Sequence, residues 1–456
     1  MNLAVGTGAM LALVVGWLSA HRSPLLVGGA IGGLTIGALA LRRALVAVGL
    51  LLGVVALLPF AVVPLRVGIA PTLLDLATAV VALVWLARAA AGRSPARLTG
   101  VGAALLAWCG AMVVAYVFSP ERLAPDETAR TFAKLVAAHL LFVPVLNLVD
   151  RPSRVRVITG WLVVVGVAQA LIGLALYAAP RSLAYRLLSS LAEVGYPTGD
   201  SVLRYRPDSE ILRAIGTAID PNMLGALLLV TGALVGAQLV AERPRVPRIW
   251  LVAAAGPIAL CLLLSESRGS WLGLVGGLLL TVGVRYRRLW AAAAALGAVA
   301  AFTPAAQRFT AHLFSGLRAQ DRAASMRLGE IENAFSTMAH HPLFGAGWGR
   351  GSGAFDLDTL GVSNVVLTVG QRSGVPAMLL YVGCWAALAV LLWPALRRRM
   401  RSVSMSPDDG VFLGLCAALV GAAIAGMVDH HFVRFPHLVS LLWALAALAV
   451  AQSADT

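Results

Sequence analysis

Two stretches of this sequence carry the residue types that bind and process anions. The first, Ser265–Trp271, reads SESRGSW and sets Glu266 and Arg268 between the apolar runs Leu251–Leu264 and Leu272–Val284. The second, Arg213–Gly225, reads RAIGTAIDPNMLG. Further arginines fall in gaps between apolar runs: Arg204 and Arg206 beside Arg213, then Arg327, Arg350 and Arg372. A guanidinium keeps its charge beside lipid and grips phosphate through two parallel N–H bonds. The chemistry this suits is recognition of a phosphate at a membrane surface. Structural retention of a lipid headgroup is the simpler alternative.

Candidates for moving a proton are fewer. His341 opens the string HPLFGAG, and Asp220 and Glu266 lie within the two arginine stretches. Each has a plainer role open to it. His341 can bond the end of its own helix, and Asp220 with Asn222 can cap the helix that follows, with Pro221 at its first position. Gly345, Gly347 and Gly349 lack the strand–turn–helix setting of a dinucleotide fingerprint, so they predict close backbone approach to another element. His340, His341, Asp429, His430, His431 and His437 are titratable, but no pair has metal-ligand spacing on a secure helix. No metal and no cofactor is expected.

The elements that must position these groups are membrane helices. Of 456 residues 59% are hydrophobic and 12% charged, against roughly 25% charged in a soluble domain. The expected fold is an all-α polytopic membrane protein, one integral domain over 1–456, with about fourteen transmembrane helices. Their expected spans are 3–20, 24–41, 44–63, 73–91, 100–118, 131–149, 157–178, 218–239, 249–265, 271–284, 289–303, 374–394, 410–428 and 436–452. The first lacks a basic leader and reads as a retained helix. The four cysteines lie inside apolar runs and read as inert thiols.

The net charge of +15 is read as topology before nucleic-acid binding. Basic clusters recur at every second gap, at Arg42–Arg43, Arg88–Arg97, Arg151–Arg156, Arg243–Arg248, Arg285–Arg288 and Arg397–Arg401. That alternation predicts cytoplasmic termini and puts the arginine stretches on the outer face. A large external loop is expected over 304–370. Within it Ser325–His341 has apolar residues Leu328, Ile331, Phe335 and Met338 at helical spacing, which predicts an amphipathic surface helix. A transporter would need ionisable groups in mid-membrane. Asp75, Lys134, His139 and Gln169 are the few candidates.

Three strings in this order resemble the O-antigen ligase and O-antigen polymerase superfamily: Arg213–Asn222 (R..GT..DPN), Ser267–Gly269 (SRG) and His341–Gly347 (HPLFGAG). Ser363–Gly374 (SNVVLTVGQRSG) is similar to its segment re-entering the membrane, and Gly426–Pro436 to its close, so the resemblance spans roughly 205–440. It implies a type C glycosyltransferase-like fold and a glycan donor carried on undecaprenyl diphosphate. Transfer to an acceptor glycan or glycolipid would occur at the outer face of a bacterial cytoplasmic membrane, without nucleotide sugar or metal. Arg213 and Arg268 match the family's diphosphate-binding arginines. Arg372 and Arg327 are further candidates, and His341, with Asp220 and Glu266 behind it, is the expected base. The chain departs from the family pattern at Ser363, where ligases have histidine, and at Arg372, where glutamate is usual. The first departure tilts the expectation to a polymerase. A ligase acting on lipid A core, a transporter, and an inactive assembly partner are the alternatives.

Overall fold

The computed structural model describes residues 24–63, 71–94, 96–119, 126–199, 202–206, 210–286, scattered positions between 290 and 298, 322–348, 362–402 and 405–453. The helices are α1 (Pro24–Arg42), α2 (Ala44–Leu57), α3 (Leu73–Ala90), α4 (Gly100–Phe118), α5 (Asp126–Leu140), α6 (Phe142–Leu148), α7 (Pro152–Ala178) and α8 (Arg181–Ser190). They continue as α9 (Pro221–Val240), α10 (Arg248–Ser265), α11 (Arg268–Arg285), α12 (Arg322–His340), α13 (Val365–Arg401), α14 (Pro407–Gly426), α15 (His431–Arg434) and α16 (Pro436–Ser453). Among the described residues there is no strand, only the isolated bridge pairs Val62–Thr72 and Tyr205–Leu212.

Nine of the described helical stretches are long and apolar enough to cross a bilayer: α3, α4, residues 129–148 of α5 and α6, α7, α9, α10, α13, α14 and α16. The expected helix at 3–20 lies outside the described residues, as does 289–303 except for scattered helical positions between 290 and 298. Other spans need revision. The expected helix over 44–63 ends at Leu57, because Pro59 removes a backbone donor and biases Leu58 out of the helical region (φ −141°, ψ 51°). The expected span 374–394 is longer at both ends, running Val365–Arg401 across a break at Gly374. The segment after α7 contains the amphipathic α8, which hydropathy alone passes over.

The bundle is built around α16. In α16, 89% of the spanning window is buried, compared with 22% in α3. An apolar helix with no polar face can be covered by lipid or by other helices; α16 is covered by helices, touching α5, α6, α14 and α2. The most extensive pairing is α11 against α14, with α9 alongside both. Glycines make it possible. A Cβ on Gly277 would lie 2.2 Å from the Ala417 carbonyl oxygen, and one on Gly273 would lie 2.4 Å from that of Gly421. Helices in lipid associate through such close backbone approach rather than through hydrophobic exclusion. A Gly277→Leu variant is therefore expected to lose most folded protein, checked by monodisperse yield in detergent, whereas Gly256→Ala, whose Cβ would meet nothing within 4 Å among the described residues, should behave as wild type.

Ion pairs fasten the end of the bundle that bears the basic clusters. Asp408 holds both Arg156 (2.8 Å) and Arg245 (2.6 Å). The buried Arg399 bonds Asp409 (2.8 Å) and the Gln452 carbonyl (2.8 Å) with its guanidinium over the Phe412 ring. Asp409 also completes a capping box with Ser406 at the start of α14. The groups weighed for a transport path each hold a local partner, although His139 Nε2 and Gln169 Nε2 are buried without one among the described residues. Asp75 caps α3 with Thr72 and pairs with Lys134 at 3.0 Å. The His139 Nδ1 lies 2.7 Å from the Leu135 carbonyl, and Gln169 accepts from the Thr217 hydroxyl at 3.0 Å.

Candidate functional site

At the opposite end of the bundle, the turn between α10 and α11 is tighter than its polar sequence implies. Only Glu266 and Ser267 separate the two helices, and Glu266 adopts φ 51° to reverse the chain. Ser267 and Ser270 share a hydrogen bond of 2.9 Å and lie against Gly225, where a Cβ would come within 2.7 Å of Ser267 Cβ. The turn is thereby pressed onto the first residues of α9.

A second short reversal brings in Arg213. The backbone N–H groups of Arg206 and Arg213 donate to the carbonyls of Ile211 (2.9 Å) and Arg204 (2.8 Å), and Ala214 donates to Leu264 at 2.9 Å. Arg213 then donates from Nε to the Ser265 carbonyl at 2.9 Å and from Nη2 to Asn222 Oδ1 at 3.0 Å. Arg206 grips Glu266 with two bonds, the Nε one at 3.0 Å. Burial weakens the charge on Arg213, Asp220 and Glu266 restore it, and Arg206 and Arg268 oppose it again. Three arginines and two carboxylates thus share one locality. Arg268, at the first position of α11, belongs to that field.

Asp220 does what its position at the head of α9 suggests, accepting from the N–H groups of Asn222 (2.8 Å) and Met223 (3.1 Å). It also faces His431 Nε2 at 3.6 Å. Burial pushes its carboxyl up, but the His431 ring, the Arg213 charge and the Met223 N–H outweigh that and hold it down to about 2. Asp220→Asn keeps the cap and removes the charge. Because the folded-state pKa is lowered, the charge stabilises the protein above the ordinary carboxylate pKa and stops doing so as pH falls toward about 2. The variant should accordingly melt below wild type at neutral pH, with the gap closing between about pH 4 and pH 2 in a thermal scan.

The turn after α14 completes the locality from the other side. Asp429 bonds the Nδ1 of His431 and accepts from the His430 N–H at 2.7 Å. His430 stacks on His431 with ring centroids 5.2 Å apart and planes within 8°. Burial lowers the His430 pKa to about 3; Arg434 and Arg372 add to that, and Asp220 opposes it. Arg372 therefore stands near His430.

Arg372 is held there by a hairpin that the glycines make possible. Gly374 breaks α13 with φ 82° and ψ 172°, freeing carbonyls that the 341–348 turn takes up. Ala346 and Gly347 donate to Gln371 (2.8 Å) and Arg372 (3.0 Å), and Val375 donates to Pro342 (2.8 Å). A Cβ on Gly345 would lie 2.5 Å from the Arg372 carbonyl carbon, so the expected close approach at Gly345 and Gly347 is present; Gly349 and Arg350 lie outside the described residues. Trp348 donates to Ser373 Oγ at 2.8 Å, and Arg372 donates to the Gly347 carbonyl at 3.2 Å.

His341 ends this surface helix with an exposed side chain. Among the described residues no hydrogen bond or ion pair joins its ring to Arg213, Asp220 or Glu266. Arg327 lies in α12, with its side chain outside the described residues. Ser363 donates its N–H to Glu330 on the surface helix at 2.9 Å. Asn364 caps α13 through the Leu367 N–H and reaches the Met427 carbonyl at 3.0 Å. In the sequence Asp429, His430 and His431 stand out as titratable groups, and Asp429–His430 as part of the family-like close, but nothing local in the DHH string shows what it will meet.

Residues 253–382 match the family model for O-antigen ligase. The match covers 130 of the 456 residues and supports the resemblance to the O-antigen ligase and polymerase superfamily. No curated protein matches the chain. The matched O-antigen ligase segment contains Glu266, Arg268, His341 and Arg372. Arg213, Asp220 and the Asp429–Arg434 turn lie beyond it, so the site unites the family segment with residues on both sides.

Proposed function

We propose that the protein is a membrane glycosyltransferase that moves a glycan from undecaprenyl diphosphate to an acceptor glycan, extending a surface polysaccharide. The observation that carries this reading is the convergence of Arg206, Arg213 and Arg268 with Asp220 and Glu266 at one end of an apolar helix bundle. A lipid diphosphate is already a good leaving group. The protein has to offset the charge that develops on it, orient the acceptor hydroxyl and accept its proton.

Arg213 and Arg268 are the diphosphate clamp in this reading, with Arg372, near His430, as a third member. Asn222 and the Ser265 carbonyl fix the Arg213 fork, so little reorganisation is needed when the donor arrives. Glu266, paired with Arg206, sets the local charge balance rather than taking the proton. By positive-inside reasoning, the site faces outward from a bacterial cytoplasmic membrane and both termini are cytoplasmic. The transport reading is weaker because Asp75, Lys134, His139 and Gln169 are each tied to a neighbour.

The test is incubation of purified protein with undecaprenyl-diphosphate oligosaccharide, alone and with a lipid A core acceptor. Longer lipid-linked glycans are the expected product. Glycan joined to lipid A core would move the assignment to ligase, and no transfer to either acceptor would overturn it.

A further inference from the structure

The two stacked histidines of the Asp429–Arg434 turn differ in what their rings can still do. His431 has both ring nitrogens committed, Nδ1 to Asp429 and Nε2 facing Asp220 at 3.6 Å. It is a platform, held from both sides by carboxylates and stacked on Phe435 as well as on His430. His430 is the reverse. The residue is 5% exposed, and among the described residues neither ring nitrogen has a hydrogen-bond partner. A buried imidazole with two open nitrogens costs free energy unless something bonds them. It lies among Arg434 and Arg372, with Asp220 across from it, at the edge of the arginine cluster.

Building on the glycosyltransferase reading, we propose that His430 receives the acceptor sugar hydroxyl and is the general base of the transfer. One ring nitrogen takes the proton from the hydroxyl as the oxygen forms its bond to the anomeric carbon of the donor sugar. The bond from that carbon to the diphosphate oxygen breaks, and its electron pair leaves with the diphosphate onto Arg213, Arg268 and Arg372. The imidazolium then returns its proton to water. His431, kept in place by Asp429 and Asp220, orients the His430 ring by stacking and is a positioning residue.

The surrounding charges add a coupling between the two substrates. In the free protein burial and the arginine charges keep His430 neutral, so its lone pair is available but weakly basic. A diphosphate bound to Arg372 neutralises part of that field and strengthens the base at the moment the donor is present. The charged and titratable groups around the ring are Asp220 from the head of α9, Arg372 from α13, Asp429 and His431 from its own turn and Arg434 from α15, with His437 of α16 next to His431.

The test uses the full-length protein and two separate readouts, undecaprenyl diphosphate binding and glycan transfer. His430→Gly and His430→Asn should bind the lipid diphosphate as wild type does, while transfer falls on the order of 10²–10⁴-fold. Added imidazole should restore part of the His430→Gly activity. His340→Ala, an exposed ring on the surface helix, should match wild type throughout. Either His430 variant retaining wild-type turnover overturns the proposal. So does loss of turnover with donor binding intact and no rescue by imidazole. Wild-type protein that binds no lipid diphosphate would instead remove the glycosyltransferase reading on which the proposal rests. Normal thermal stability of His430→Asn identifies a chemical loss, and a collapsed variant would show the ring to be structural.

Discussion

Arg213→Ala is expected to lower glycan transfer on the order of 10²–10³-fold, the usual consequence of removing one fixed donor to a developing negative charge. The effect should appear in kcat as well as in donor binding, because the guanidinium is fixed before the substrate arrives. Its Nε is spent on the Ser265 carbonyl and one Nη2 bond on Asn222. These bonds orient the fork, and they also tie the 211–213 segment to the α10–α11 turn. Arg213→Lys separates the two roles. A lysine keeps the charge but cannot hold both partners while facing a phosphate, so it should recover part of the donor binding and little of the turnover. Full activity in Arg213→Ala would leave the cluster with no role in transfer.

The second large effect is expected at Gly374. Its φ of 82° with ψ of 172° belongs to a region that only glycine occupies at low cost. A Cβ there would sit 2.3 Å from the Leu343 carbonyl oxygen, a backbone atom that cannot swing away. Strain alone costs about 1–3 kcal/mol, and the clash adds displacement of the whole hairpin. Gly374→Val should therefore detach the 341–348 turn from Gln371 and Arg372, withdraw Arg372 from the His430 flank and abolish transfer. Proteolysis within 341–348 should become faster than in wild type. The long helix beyond Val375 packs against α4 on its own account, so the protein should still insert and purify.

How much of this is readable from the residue string depends on the distance over which each feature is decided. The α10–α11 turn is local: two apolar runs flank SESRGSW, and the turn forms there. Asp220 as a cap is local too, fixed by Pro221 and the N–H groups two and three residues on. The glycines of HPLFGAG report close approach without saying to what. The partner, a break in a helix that itself looks continuous, is legible only in three dimensions, because Gly374–Pro376 reads equally well as a helix start. His430 and His431 are the extreme case. Their contacts depend on Asp220, more than two hundred residues earlier, so the string, although it resembles the family's close, does not show what the rings meet.

The clamp is the centre of the account, and lipid binding tests it most directly. Undecaprenyl diphosphate and undecaprenol, which lacks phosphate, should be titrated into wild-type protein and an Arg213→Ala/Arg268→Ala double variant. Wild type is expected to prefer the diphosphate over the alcohol strongly, and the double variant is expected to bind the two alike. Equal preference for the diphosphate in both proteins would contradict the account.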